Sequence, residues 1–207
     1  AEFVPLDRDT YINAGDPTVN TGNESTCAIG SQTSGKLQHQ FRTLGDFDVS
    51  SIAAATINSA KLVLVVHTVE GAGGWAGTVY RCTRPGAATG WIETEATWNN
   101  YKTATAWTTA GGDYDGSTPT PVGFTSPTAT GTKEITGLAA FVTDAIANRS
   151  NIVSLLLRKD TEAAETNDFQ WWSSERSPAS DRWSADCVGC VAAAHVASLV
   201  GIGWVDV

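Results

Sequence analysis

The sequence has few charged residues, and basic residues are the minority among them. Only 17% of the 207 residues are charged, with 13 Lys and Arg against 22 Asp and Glu, so the formal net charge is −9. A surface that follows nucleic-acid phosphates needs clustered Lys and Arg, and the longest basic run is the pair Arg158-Lys159. Nucleic acid is therefore excluded as an expected partner.

Long hydrophobic runs are also missing. No stretch in the middle of the chain approaches the ~20 apolar residues of a transmembrane helix. Residues 188–207 are mostly small and apolar, but His195, several glycines and Asp206 interrupt them. This composition favours one or two buried strands, so we expect no membrane span. Residue 1 is Ala and methionine is absent, so we expect processing by removal of an initiator Met or of a signal peptide.

Catalytic motifs are absent from the sequence. It has three histidines and no Gly-x-Ser-x-Gly elbow around a nucleophile. Glu93 and Glu95 would share one face of an extended segment, roughly 7 Å apart. Carboxylate pairs of glycosidases flank the scissile bond and normally come from different elements. We therefore predict that the chain is not an enzyme.

The four cysteines are too scattered for a clear metal or redox site. Cys187 and Cys190 have redox-motif spacing, but no helical pattern follows them. A zinc site would need a second close pair, whereas Cys27 and Cys82 are far apart in sequence. Buried thiols, or one or two structural disulfides, are the expected states.

Apolar patterns that are present predict mainly β-strands. Residues 61–69 and 152–158 are near-continuous apolar runs, which predicts central strands covered on both faces. Residues 78–83 alternate, as a half-exposed strand would. Residues 41–49 predict a shorter pair of strands, broken at Gly45.

One segment has helical spacing instead. Apolar residues from Leu138 to Ile146 recur at intervals of three and four, which predicts a helix that starts near Thr136 and ends at Asn148-Arg149. Residues 84–134 are rich in Thr, Gly, Pro and Trp, which predicts long loops with short strands. The fold class is thus all-β, an antiparallel β-sandwich of the jelly-roll type with one short helix, in a single domain over 1–207.

Several short motifs resemble those of a known family. They are Asp9-Thr10-Tyr11, the stretch from Arg42 through Phe47-Asp48 to Ile52, Ile57 to Leu62, Trp91-Ile92-Glu93, Ala96-Thr97-Trp98-Asn99-Asn100, Trp107 to Asp115 with Gly111-Gly112-Asp113, and Ser173-Ser174-Glu175. Over about residues 7–183 the chain resembles DNRLRE-type domains. The resemblance implies a non-catalytic jelly roll related to carbohydrate-binding modules.

The chain departs from that pattern at its carboxyl end. The family closes with a short Pro-Arg-Leu strand, whereas this chain has Asp181-Arg182-Trp183 and then an atypical apolar segment, 184–207. A domain of this kind that makes up nearly a whole chain resembles structural or tail-associated proteins of tailed phages. Such a tail could add a strand to a neighbouring subunit.

Aromatic side chains are the candidates for saccharide contacts. An exposed ring face stacks on the C–H face of a sugar, and we predict such contacts at Trp75, Trp107 and Tyr114. For Trp91, Trp98 and Trp107, the alternative is packing of loops against the sandwich.

A pair of carboxylates is the candidate for a cation site. Asp113 and Asp115 are two residues apart in a loop, which could supply oxygens to a structural calcium ion. The further ligands of an EF-hand are absent. Aspartates that cap a turn are the alternative.

Two hypotheses for function follow. The first is a non-catalytic structural component of a virion or an extracellular surface, such as a decoration, tail-associated or assembly protein, whose partners are copies of itself or other structural subunits. The second is a saccharide-binding module that targets a polysaccharide. Both place the protein on a virion or at a cell surface.

Overall fold

The regular structure is almost entirely β-strand. A computed structural model describes residues 2–34, 37–84, 90–163, 165–188 and 191–192. The strands are β1 (Glu2–Pro5), β2 (Arg8–Asn13), β3 (Thr26–Ser34), β4 (Leu37–Asp48), β5 (Ala55–Thr56), β6 (Ser59–Glu70), β7 (Ala76–Cys82), β8 (Asn100–Lys102), β9 (Thr105–Ala106), β10 (Tyr114–Asp115), β11 (Val122–Thr125), β12 (Gly131–Thr136), β13 (Ile152–Lys159), β14 (Asn167–Trp172), β15 (Ser184–Val188) and β16 (Val191–Ala192).

Most of these strands pair into one large antiparallel sheet that curls on itself. On one wall β2, β4, β13 and β7 are neighbours, and on the other β12, β6, β14 and β3 are neighbours. The walls join where β3 pairs with the first half of β4. Buried side chains from both walls form the main core. The predicted all-β sandwich with one helix is confirmed.

Strand β4 runs without a break through Gly45, so the predicted interruption there is wrong. A Cβ atom on Gly45 would lie 2.4 Å from Cη2 of Trp183. The glycine therefore marks a place where an aromatic ring approaches the backbone of a strand.

The two central strands differ in how their faces are covered. In β6, Leu62 and Leu64 are fully buried, while Val63 and Val65 on the opposite face are only half-buried. The prediction that both faces of this strand are covered is therefore wrong. In β13 neighbouring residues on opposite faces are both buried, as predicted.

A second, smaller core explains the double burial of β13. The segment 90–112 folds over the outer face of the β2–β4–β13–β7 wall and buries Leu156 of β13. Its anchor is Trp91, whose Nε1 donates to Oδ1 of the buried Asp46 at 3.1 Å. The predicted long loops with short strands are confirmed in the described part of 84–134.

Helix α1 (Ala139–Asn148) packs on the main core through Phe141, Val142 and Ala145. The helix was predicted at this place, but Leu138 and not Thr136 precedes its first turn. No helix in the described residues is long and apolar enough to cross a membrane.

The first part of segment 184–207 belongs to this chain's own sheet. Strand β15 lies between β6 and β1, where Ala185 pairs with both Leu62 and Val4. Strand β16 pairs with β5. Of residues 188–207, where one or two buried strands were expected, the structure describes only Val188 at the end of β15 and the two residues of β16, so that expectation stays a prediction. Residues 193–207 and Cys190 lie outside the described residues.

Cys27 and Cys82 are buried, free thiols, one of the two states expected from the sequence. Burial raises the pKa of Cys82 to about 12 and that of Cys27 well above its ordinary value. Both thiols therefore stay protonated.

Candidate functional site

Trp75, a predicted saccharide contact, is half-buried just before β7. Its ring lies 5.6 Å from that of Phe169 and 6.4 Å from that of Phe124, between centroids. Lys159 Nζ lies 5.4 Å from its centroid. Much of the ring is therefore committed to packing, and the predicted saccharide contact stays a prediction.

Trp107 cannot act as a platform. Only 4% of it is exposed, and its Nε1 donates to the carbonyl of Thr97 at 2.9 Å. The predicted contact at Trp107 is wrong because the ring fills the second core beside Tyr101. The alternative, packing of the loops, is confirmed for Trp107 and Trp91.

Tyr114 is half-buried in β10 and lies on a surface groove. Its ring is 4.5 Å from that of Tyr80, and its hydroxyl accepts from Arg158 at 2.9 Å. The groove, here called the loop groove, has a volume of about 480 Å³. Its lining is Thr83, Arg84, Thr108, Thr109, Gly112, Asp113 and Tyr114.

Asp113 and Asp115 direct their carboxylates at different parts of their own loops. Asp113 accepts the backbone N–H groups of Thr108 and Thr109, each at 2.9 Å. Burial acts to raise the pKa of Asp113, but these donors outweigh it and lower the value. Asp115 accepts from the hydroxyl and the N–H of Ser117, each at 2.8 Å, which lowers its pKa. These are the contacts of turn-capping aspartates, and calcium at this pair stays a prediction.

A different set of carboxylates comes together. Ligand oxygens of Asp9, Glu93 and Glu175 lie within 4.8 Å of one another and could hold a cation. Asp9 is fully buried, and it accepts from the N–H and hydroxyl of Ser174 at 3.1 and 3.0 Å and from the indole of Trp183. Burial raises the pKa of Asp9 to about 7, and Glu175 adds to the rise.

The sequence did not predict this cluster, although each of its three residues lies in a motif that was noted. Asp9, Glu93 and Glu175 each belong to one of the short motifs that carry the family resemblance.

Glu93 and Glu95, the carboxylates noted in the sequence, have different partners. Glu93 accepts the backbone N–H of Asp9 at 2.6 Å, whereas Glu95 accepts that of Thr103 at 2.7 Å. The two glutamates lie in a turn and accept from different backbone groups, so the prediction that they share one face of an extended segment is wrong.

A second groove crosses four strands, and we call it the strand groove. It lies over β2, β3, β4 and β14 beside the 14–25 loop, and its volume is about 350 Å³. Its lining combines three rings with amide, hydroxyl and carboxylate side chains. The lining is Tyr11, Asn13, Asp16, Glu24, Thr26, Ala28, Gln32, His39, Phe41 and Gln170.

Rings form one side of the strand groove. Tyr11 and Phe41 pack edge to face with centroids 5.9 Å apart, and His39 stacks at 6.0 Å from Phe41. The Tyr11 hydroxyl donates to Glu24 at 2.8 Å. Burial first, and then Glu24, raises the pKa of Tyr11, so the hydroxyl remains a donor.

Amides form the other side. Gln32 donates to Glu70 at 3.2 Å, and Gln170 donates to the buried Asp168 at 3.3 Å. Burial raises the pKa of Asp168 to about 6, and its Oδ1 has no donor in the described part of the chain.

The strand groove was not predicted because its residues come from distant segments. Tyr11 was noted only as part of a motif, and the glutamines were not singled out. Only the pairing of β14 with β3 brings Gln170 beside Ala28.

A comparison with protein families finds one match. The model of carbohydrate-binding module family 96 matches residues 2–116, more than half of the chain. The matched range holds the whole loop groove and every residue of the strand groove except Gln170. No curated protein matches the chain.

Proposed function

Because the chain belongs to carbohydrate-binding module family 96, we propose that it binds a polysaccharide in the strand groove. The observation that carries this proposal is the lining of that groove. Rings, amides and hydroxyls converge there from four strands, and the carboxylates of Asp16 and Glu24 come from the adjoining loop. A site on strands is held more precisely than one on loops.

The chemistry of the lining suits a sugar. A pyranose has an apolar C–H face, which rings such as Tyr11 can cover, and a rim of hydroxyls that both donate and accept. The amides of Gln32 and Gln170 each offer an accepting oxygen and a donating NH2 group, and the carboxylate of Glu24 offers two accepting oxygens. Binding sites of this kind combine apolar walls with a few placed polar groups.

Titration calorimetry against a panel of soluble polysaccharides tests the proposal. Gln32→Ala and Gln170→Ala remove half-buried side chains that face the groove, and we expect each to weaken binding at least roughly tenfold. Thr109→Ala is the matched control, because Thr109 is an exposed side chain of the loop groove. This variant should bind as the wild type does.

Two outcomes would count against the proposal. If Thr109→Ala weakens binding and the glutamine variants do not, the site is the loop groove, which Tyr114 lines. If no polysaccharide binds the folded protein, the proposed function is wrong.

Fewer observations support the other hypotheses from the sequence. The family is one of binding modules, so we propose no catalytic step, and we expect an extracellular or surface-associated protein. A virion or assembly role, the DNRLRE-type resemblance and partners among structural subunits stay predictions, because no observation in the structure favours them.

A further inference from the structure

An apolar groove lies between helix α1 and the chain around β5, and we propose that residues 193–207 of this same chain dock in it. This groove, called the helix groove, has a volume of about 290 Å³. It shares no lining residue with the strand groove or the loop groove, so the inference goes beyond the proposed function. Its lining is Ala55, Thr56, Ile57, Thr143, Ile146 and Ala147.

The lining of the helix groove is apolar and only partly covered. Ala55, Ile57 and Ile146 pack against the main core, yet each is only half-buried. Ala147, near the end of α1, is exposed. No charged side chain lines the groove in the described part of the chain. An apolar segment laid over this surface would remove apolar area from water, which is favourable.

The chain leads into 193–207 directly beside this groove. Strand β16 pairs with β5, so that Val191 lies opposite Thr56 and Ala192 lies opposite Ala55. Thr56 and Ala55 both line the helix groove. Residue 193 thus follows a residue that is paired with the groove wall, and the segment needs no linker to reach its site.

The composition of 193–207 suits an apolar groove. Asp206 is the only Asp, Glu, Lys or Arg in this segment. A groove of this volume takes only a few side chains, so their docking contributes little to the stability of the whole fold. The larger apolar residues that could enter are Val196, Leu199, Val200, Ile202, Trp204, Val205 and Val207.

Covalent attachment favours this chain over a second copy as the source of the segment. A segment tethered through a short connection meets its site at an effective concentration in the millimolar range. A segment of another molecule has only the concentration of the protein in solution, which is far lower in ordinary measurements. Docking within one chain should therefore not depend on protein concentration.

Hydrogen exchange of the full chain, followed by mass spectrometry, tests the proposal. We expect backbone amides within 193–207 to exchange at least roughly tenfold more slowly than those of a free peptide of the same sequence. Ala147→Glu places a carboxylate on the groove wall, where a docked apolar segment would take it out of water at a cost. This variant should raise exchange within 193–207 to the rate of the free peptide.

Ala140→Glu is the matched control, because Ala140 is also an exposed alanine of α1 but does not line the groove. It should leave exchange within 193–207 as slow as in the wild type. Slow exchange in β6 of both variants would show that the sheet remains folded.

Three results would overturn the inference. The first is exchange of 193–207 in the wild type at the rate of the free peptide. The second is slow exchange that Ala147→Glu leaves unchanged, which would mean that the segment docks elsewhere. The third is protection that increases with protein concentration, which would mean that the segment docks on a second copy. None of these results bears on polysaccharide binding in the strand groove.

Discussion

At the scale of single residues, burial and neighbouring groups change the pKa of a side chain, and Asp9 is the clearest case. Its carboxyl is fully buried, yet it receives donors from Ser174 and Trp183 and lies beside Glu93 and Glu175. Burial raises its pKa from 3.8 to about 7. The folded state therefore holds a proton that the unfolded state has already lost in mildly acidic solution.

This difference predicts how stability depends on pH. A raised carboxyl pKa stabilises the fold below the unfolded value, and that contribution is lost as pH rises through the folded value. One pKa unit corresponds to about 1.4 kcal/mol. We expect the free energy of unfolding, measured with urea, to fall by at least that much between about pH 5 and about pH 8. Asp168, whose pKa is raised to about 6, adds in the same direction.

Asp9→Asn imitates the protonated form and should remove most of this slope, with stability at about pH 8 equal to or above that of the wild type. Glu134→Gln, at an exposed carboxylate, should keep the slope. An unchanged slope in Asp9→Asn would show that another group is responsible.

At the scale of elements, strand β4 shows what one glycine permits. β4 pairs with β2, β3 and β13, and it passes Trp183 at Gly45. A Cβ there would lie 2.4 Å from the ring, which is itself packed against Phe47 and Trp171. Gly45→Ala should therefore cost about 1–3 kcal/mol of unfolding free energy.

Gly123→Ala is the matched control for that prediction. Gly123 is also a strand glycine, in β11, but a Cβ there would meet nothing within 4 Å. It should be neutral or slightly stabilising, because alanine lowers the entropy of the unfolded chain. If both variants lose the same stability in denaturant melts, the cost is one of backbone conformation and not of contact with Trp183.

Elements also show which features the sequence could predict. The strands that local periodicity predicted at 61–69, 78–83 and 152–158, and helix α1, are confirmed. Strands β3 and β14 were not predicted. Burial of both faces was right for β13 but wrong for β6, because coverage depends on distant segments such as 90–112. The same reason applies to sites, since Asp9, Glu93 and Glu175 meet only through folding. The prediction for Trp107 was wrong because the residues around a tryptophan in the sequence do not show whether the face of its ring is exposed to solvent.

For the whole molecule, the carboxyl-terminal segment separates into two parts. β15 lies between β6 and β1, and Cys187 within it is fully buried. Deleting residues 184–207 should therefore abolish cooperative unfolding, because β6 loses a neighbour and β1 loses its pairing partner. Deleting only 193–207 keeps every contact described above and should leave the thermal midpoint within a few degrees.

Differential scanning calorimetry of the two truncated chains measures both effects. Loss of the transition in the shorter deletion would mean that residues 193–207 are also needed for folding. A folded protein without 184–207 would contradict the pairing of β15.

The pairing of β1 with β15 also sets how the module would respond to load. Glu2 lies opposite Cys187, so β1 begins and β15 ends at the same end of this antiparallel pair. A force applied to the start of β1 and the end of β15 would break the hydrogen bonds between these strands one pair after another, instead of loading all of them at once. A module tethered at both ends would therefore yield first at its own termini, while the grooves on the rest of the sheet remain intact.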